Sequence, residues 1–98
     1  MRRALPALLL MLATATAMAQ PARQLTDAQV RERIIADSIR GYLLTGHPCA
    51  CPYNSARNGS RCGARSAYTR PGGAAPLCYA RDVSDAMVRA WRQSNGMP

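Results

Sequence analysis

Apolar positions along the chain fall into two periodic stretches, separated by a long one with no period. In the first, Ile34, Ile35, Ser38, Ile39, Tyr42 and Leu43 share one face at helical spacing. Its start is marked by Leu25-Thr26-Asp27-Ala28-Gln29-Val30. Thr26 can cap, Gln29 stands three residues on as in a capping box, and Leu25 with Val30 makes a hydrophobic staple. Asp27–Arg31 and Arg33–Asp37 are opposite charges one turn apart, each pair worth about 0.3 kcal/mol. Gly46 and Pro48 mark the exit, so the pattern predicts a helix over about 26–45, with Gly41 inside it. In the second stretch Val83, Met87, Ala90 and Trp91 share a face. Asp82 or Ser84 can cap it, Arg89 and Arg92 sit near its C-terminal end where cations are favoured, and Asn95-Gly96 ends it. A helix over about 83–94 is expected.

Between the two, Pro48, Asn58-Gly59, Pro71-Gly72-Gly73 and Pro76 break the chain into turns. So long a segment without secondary structure sits in a compact domain only if something cross-links it. All four cysteines lie there: Cys49, Cys51, Cys62 and Cys78. The expected fold is a small, disulfide-stabilised α domain. Its two helices pack their Ile/Leu and Met/Val/Trp faces together, joined by a cysteine-rich irregular loop (47–81) that covers one end.

The start of the chain has a different pattern. Arg2 and Arg3 precede an apolar run, Ala4 to Ala15, that is too short for an ordinary membrane helix. Ala17-Met18-Ala19 then supplies the small-x-small pattern of a cleavage site. Residues 1–19 therefore read as a secretory signal peptide, leaving 20–98 as one small mature domain, periplasmic or secreted. No cysteine at the cleavage point suggests a lipid anchor, and the mature chain has no expected transmembrane segment. A domain of this size has a marginal core, and this one contains no Phe. Such scaffolds need staples.

Cys51 precedes Pro52, which favours extended backbone there. Cys49 and Cys51 then point their sulfurs to one side, towards two partners, with Ala50 on the far side. Of the three connectivities, a Cys49–Cys51 bridge closes almost no loop and ranks lowest. Cys49–Cys78 with Cys51–Cys62 is slightly preferred over Cys49–Cys62 with Cys51–Cys78, because its shorter inner loop closes most readily. A bridge over such a loop contributes about 3 kcal/mol in the chain-entropy model. A zinc site is the competing chemistry, with His47 as a fifth ligand candidate. However, the C-x-C-x10-C-x15-C spacing matches no common zinc ribbon, and an exported chain meets oxidising conditions. A redox-active C-x-C lacks the helix N-terminus that would depress a thiol pKa. No metal or cofactor is expected.

The formal charge of +8 falls to +6 once Arg2 and Arg3 are removed, and every basic residue is Arg. The charge is concentrated in the loop, where Arg57, Arg61, Arg65, Arg70 and Arg81 stand among Tyr53, Tyr68 and Tyr79 without a single acid. Arg-plus-aromatic surfaces suit nucleic-acid phosphates with stacked bases, anionic lipid headgroups or acidic glycans. The plainer account is preferred: the tyrosines cover the disulfides as a substitute core, and the arginines keep a small protein in solution. Catalysis has little to work with. His47 is the only histidine, and sequence neighbours such as His47 and Cys49 rarely align as base and nucleophile.

The run Cys49-Ala50-Cys51-Pro52-Tyr53, with Arg61-Cys62-Gly63, Arg65-Ser66-Ala67-Tyr68, Arg70-Pro71-Gly72-Gly73 and Pro76-Leu77-Cys78-Tyr79, resembles a module of small exported bacterial proteins. The resemblance implies that cysteines, Pro-Gly turn and tyrosines form one unit, and it supplies no active site. The sequence thus points to a disulfide-stapled binding or structural module of the bacterial cell envelope, not an enzyme. The alternatives are a module binding nucleic acid or another polyanion through the Arg/Tyr loop, and a thiol-redox or zinc-binding protein. An anionic polymer or envelope component is the partner class considered.

Overall fold

The computed structural model describes residues 24–72 and 75–98. The expected signal peptide, residues 20–23 after it and Gly73 of the Pro-Gly turn lie outside them. Helix α1 spans Asp27–Leu43 and helix α2 spans Asp85–Ser94, with short 3-10 turns at Gly63–Arg65 and Ala80–Asp82 between them. Among the described residues the only extended pairing is one antiparallel bridge, Ser55 to Arg61. This is a small α fold with two disulfides in the segment that joins its helices.

The expected start of α1 is present in full. The Thr26 side chain accepts from the Gln29 N–H at 3.1 Å, and the Gln29 side chain accepts from the Thr26 N–H at 2.9 Å. Leu25 and Val30 are both buried in one apolar cluster, as the staple requires. Helix α2 begins two residues later than expected. Ser84 is its cap, accepting from the Met87 N–H, and Asp82 belongs to the preceding 3-10 turn.

Two apolar clusters share α1 as a common wall. One holds Leu25, Val30, Val83 and Val88, with Ile34, Ile35, Leu77 and Trp91 against it. The face α2 turns inward is therefore Val88 and Trp91; Met87, expected on that face, is 41 % exposed. The second cluster is built on Ala50, Cys51 and Cys78, with Ile39, Tyr42, Tyr68 and Tyr79 around it. It seats the cysteine loop on the C-terminal half of α1, and a 2.8 Å bond from the Leu77 N–H to the Ser38 hydroxyl fastens it there.

The disulfides join Cys49 to Cys62 and Cys51 to Cys78, so the bridges interleave and the preferred nested pairing is not formed. Loop closure separates the two patterns by only about 0.1 kcal/mol, far too little to decide. Packing decides. The Ala67 and Tyr68 N–H groups bond to the Cys49 and Ala50 carbonyls, and those of Cys62 and Gly63 bond to Asn54 and Pro52. These bonds hold segment 62–68 along segment 49–54, with Cys62 at Cys49. Cys51 is fully buried, in the cluster that also takes Cys78. Ala50 is buried as completely, so both sides of the Cys-Ala-Cys trio are enclosed.

Candidate binding surfaces

Apart from Arg81, which lies over Tyr79, the loop arginines stand away from the tyrosines. The tyrosines gather around the Cys51–Cys78 bridge. Tyr53 and Tyr68 each meet the Tyr79 ring edge to face, at centroid distances of 5.6 and 5.4 Å. The Tyr53 hydroxyl donates to the Cys78 carbonyl at 2.7 Å, and the Tyr68 hydroxyl donates to Asp82 at 3.0 Å. Rings engaged in this way serve as core for the loop, although Tyr53 stays 40 % exposed.

Asp82 is the anchor of this cluster, a role its place next to α2 did not suggest. One carboxylate oxygen accepts from the N–H groups of Cys78 and Tyr79, and the other from Tyr68. Burial disfavours its charge, but the Tyr79 and Cys78 N–H groups, the Tyr68 hydroxyl and the Arg81 guanidinium outweigh that. They hold the carboxyl below the ordinary aspartate value. The same bond to Asp82, with burial and the Asp82 charge behind it, pushes Tyr68 above the ordinary tyrosine value despite nearby Arg81. Tyr53 is raised as well, by burial first and then by its neighbours Tyr79 and Asp82.

Among the described residues the arginines that pair with carboxylates are all in the helices, where Arg33 and Arg89 form no such pair. In the helices, Arg31, Arg40 and Arg92 pair with Asp85, Asp37 and Asp27. The local pairs expected along α1, Asp27–Arg31 and Arg33–Asp37, give way to these: Asp27 and Arg31 each have a partner on α2, and Asp37 pairs with Arg40 on α1 itself. In the loop, Arg57 donates to the Gly46 carbonyl at 3.2 Å. Arg65 donates to the Ser60 hydroxyl and the Arg61 carbonyl, both at 3.0 Å. Arg81 lies over the Tyr79 ring, 4.5 Å from its centroid. Arg61 and Arg70 are exposed. Among the described residues no loop arginine forms an ion pair with a carboxylate. Arg57, Arg61 and Arg65 belong to one small lobe, shaped by the Ser55–Arg61 bridge and by the Asn58-Gly59 turn, where Gly59 sits at φ 86°.

A groove of about 950 Å³ lies between α1 and the Tyr79–Val83 turn. Ile35, Ala36 and Ile39 of α1 line it together with Tyr79, Ala80 and Arg81 of the turn. All four sulfurs are in disulfides, which leaves no thiolate to ligate a metal or attack a substrate. The His47 ring lies against Tyr42 at 5.9 Å. Among the described residues no group of three or more His, Cys, Asp or Glu is placed to hold a metal ion, and no helix is long and apolar enough to cross a membrane. Comparison of the chain with protein-family models, curated proteins and solved structures finds no match.

Proposed function

We propose that this chain is a small exported binding module of the bacterial cell envelope that holds an anionic polymer through its arginine lobe. The observation that carries this reading is the cluster of loop arginines that form no ion pair with a carboxylate. Arg57 and Arg65 are fixed by uncharged oxygens and Arg61 and Arg70 face solvent, whereas in the helices Arg31, Arg40 and Arg92 are paired with aspartates and Arg33 and Arg89 stand apart from the lobe as exposed side chains without an ion pair. Neutral acceptors orient a guanidinium without cancelling its charge, so the lobe presents ordered positive charge to an incoming anion. The two disulfides suit an oxidising compartment, in keeping with export. The tyrosines enter this reading as core around the Cys51–Cys78 bridge rather than as a stacking platform. Base-specific nucleic-acid binding is accordingly the less favoured form of it.

The test is binding of a sulfated polysaccharide across a salt series. Log affinity falls linearly with log salt, and changing Arg57, Arg61, Arg65 and Arg70 to Ala abolishes binding and flattens that slope. Equal binding to a neutral polysaccharide, or binding that survives the four substitutions, overturns the reading. A thiol-redox role predicts instead that a mild glutathione poise opens a bridge in the native protein.

A further inference from the structure

We infer that the Leu43–Leu44 turn and the arginine lobe beside it form one surface that seats on an anionic lipid bilayer. The inference rests on the reading of the lobe as an anion site and goes on to name what carries the anions.

Leu43 and Leu44 are 43 % and 81 % exposed, two adjacent leucines turned out of a small domain that has few large apolar residues for its core. They are not frayed. Leu44 is the cap of α1 in helical geometry, its N–H bonded to the Arg40 carbonyl at 3.0 Å. The Thr45 and Gly46 N–H groups bond to the Tyr42 and Leu43 carbonyls at 2.9 and 3.0 Å, and the Thr45 hydroxyl bonds to the Tyr42 carbonyl at 2.6 Å. Gly46 closes the turn at φ 94°, a conformation that residues with a Cβ rarely adopt. A turn whose N–H groups from Leu44 to Gly46 are all bonded holds its leucines outward as part of the fold.

The guanidinium of Arg57 is bonded to the carbonyl of Gly46, the last residue of that turn. Arg57 therefore ties the lobe that also bears Arg61 and Arg65 to the turn that carries the leucines, and no acid occurs anywhere from residue 47 to 81. A soluble polyanion offers such a surface charge alone. An anionic bilayer offers charge at the headgroups and, just beneath them, an apolar layer that exposed leucines can enter. Neither two leucines nor three arginines suffice as an anchor, but a short apolar insertion together with a basic patch is the combination that does.

The experiment measures partition of the mature protein onto phosphatidylglycerol–phosphatidylcholine vesicles and onto pure phosphatidylcholine vesicles, with binding to the sulfated polysaccharide run in parallel. Wild type is expected on the anionic vesicles only. Leu44→Ser, at a position with little to lose in folding, is expected to weaken vesicle partition about tenfold and leave polysaccharide binding unchanged. Arg57→Gln with Arg61→Gln is expected to weaken both. Vesicle partition unaffected by Leu44→Ser, or absent while the polysaccharide still binds, overturns the lipid inference and leaves the anion reading standing. Loss of both ligands in the wild type overturns the two together.

Discussion

Arg92 of α2 donates to the Asp27 carboxylate at 2.8 Å, and the same nitrogen reaches the Leu25 carbonyl at 2.7 Å. Arg31 of α1 repeats this arrangement in the other direction, on Asp85 and the Val83 carbonyl. Each guanidinium thus binds the first residue of the opposite helix and the carbonyl two residues before it. Leu25 and Val83 are core residues whose carbonyls precede the helical hydrogen-bond ladder, so they need a donor from elsewhere. The two arginines lock the helix starts together at the places where the core turns into helix.

Arg92→Ala is expected to destabilise the fold by about 1–2 kcal/mol, because a largely buried guanidinium and the donor to Leu25 are both lost. In a domain of this size that lowers Tm by roughly 5–10 °C. Asp27→Asn removes only the ion pair with a well-exposed carboxylate, and a smaller loss, below about 1 kcal/mol, is expected. Thermal unfolding of both variants checks the order. Equal losses mean that the carbonyl bond contributes nothing beyond the ion pair.

These cross-helix bonds mark what the sequence makes legible and what it does not. The capping box of Thr26 and Gln29 and the staple of Leu25 and Val30 lie within six residues, and local rules found them whole. The same rules assigned Asp27 to Arg31, although both are bonded to α2, because local spacing says nothing about which helix faces which. Met87 and Val88 are adjacent, and only the docking angle of a short helix decides which of them is buried. The disulfide pattern was illegible because loop lengths hardly distinguish the two arrangements, whereas the hydrogen bonds of segment 62–68 do. Asp82 looked like a helix cap, and its bonds to Cys78, Tyr79 and Tyr68 became visible only with the loop folded around it.

Asp82 gives the fold an acid-sensitive point. Its carboxyl ionises below the ordinary aspartate value in the folded chain, so its stabilising effect is complete above about pH 4 and is lost as pH falls through the folded value. Urea unfolding at a series of acidic pH values should show wild-type stability declining below about pH 4. Asp82→Asn should be less stable at neutral pH and decline less there. Parallel curves for the two proteins would exclude Asp82 as the acid-sensitive group.

At the alkaline end the sign reverses. Tyr53 and Tyr68 ionise above the usual tyrosine value in the fold, so the stability they confer is complete below about pH 10 and is lost as pH rises through their folded values. Tyrosinate absorbance in native protein should show these two ionising later than in urea-unfolded protein. Asp82→Asn should bring Tyr68 back towards its ordinary value, since the bond to Asp82 is the largest cause of its shift. An unchanged titration in that variant would remove the assigned cause.

The two bridges are not equivalent. Cys51–Cys78 closes a span of 27 residues and Cys49–Cys62 one of 13, a difference worth about 0.6 kcal/mol in chain entropy. Packing widens the gap: Cys51 and Cys78 are the centre of the cluster that seats the loop on Ile39 and Tyr42, while Cys49 is only half buried. Replacing Cys51 and Cys78 by Ala should therefore lose the 3.6 kcal/mol or so of that loop's closure and leave a void beneath Tyr68 and Tyr79 as well. For so small a core that is enough to unfold the chain at ordinary temperature. The Cys49→Ala and Cys62→Ala pair should lose about 3 kcal/mol and keep α1, α2 and the Tyr79 cluster in partial register. Peptide mapping of the unreduced protein should recover the two interleaved bridges. Circular dichroism of the two double variants then reads the asymmetry directly, and a more damaging loss of Cys49–Cys62 would place the structural centre of the loop at the other bridge.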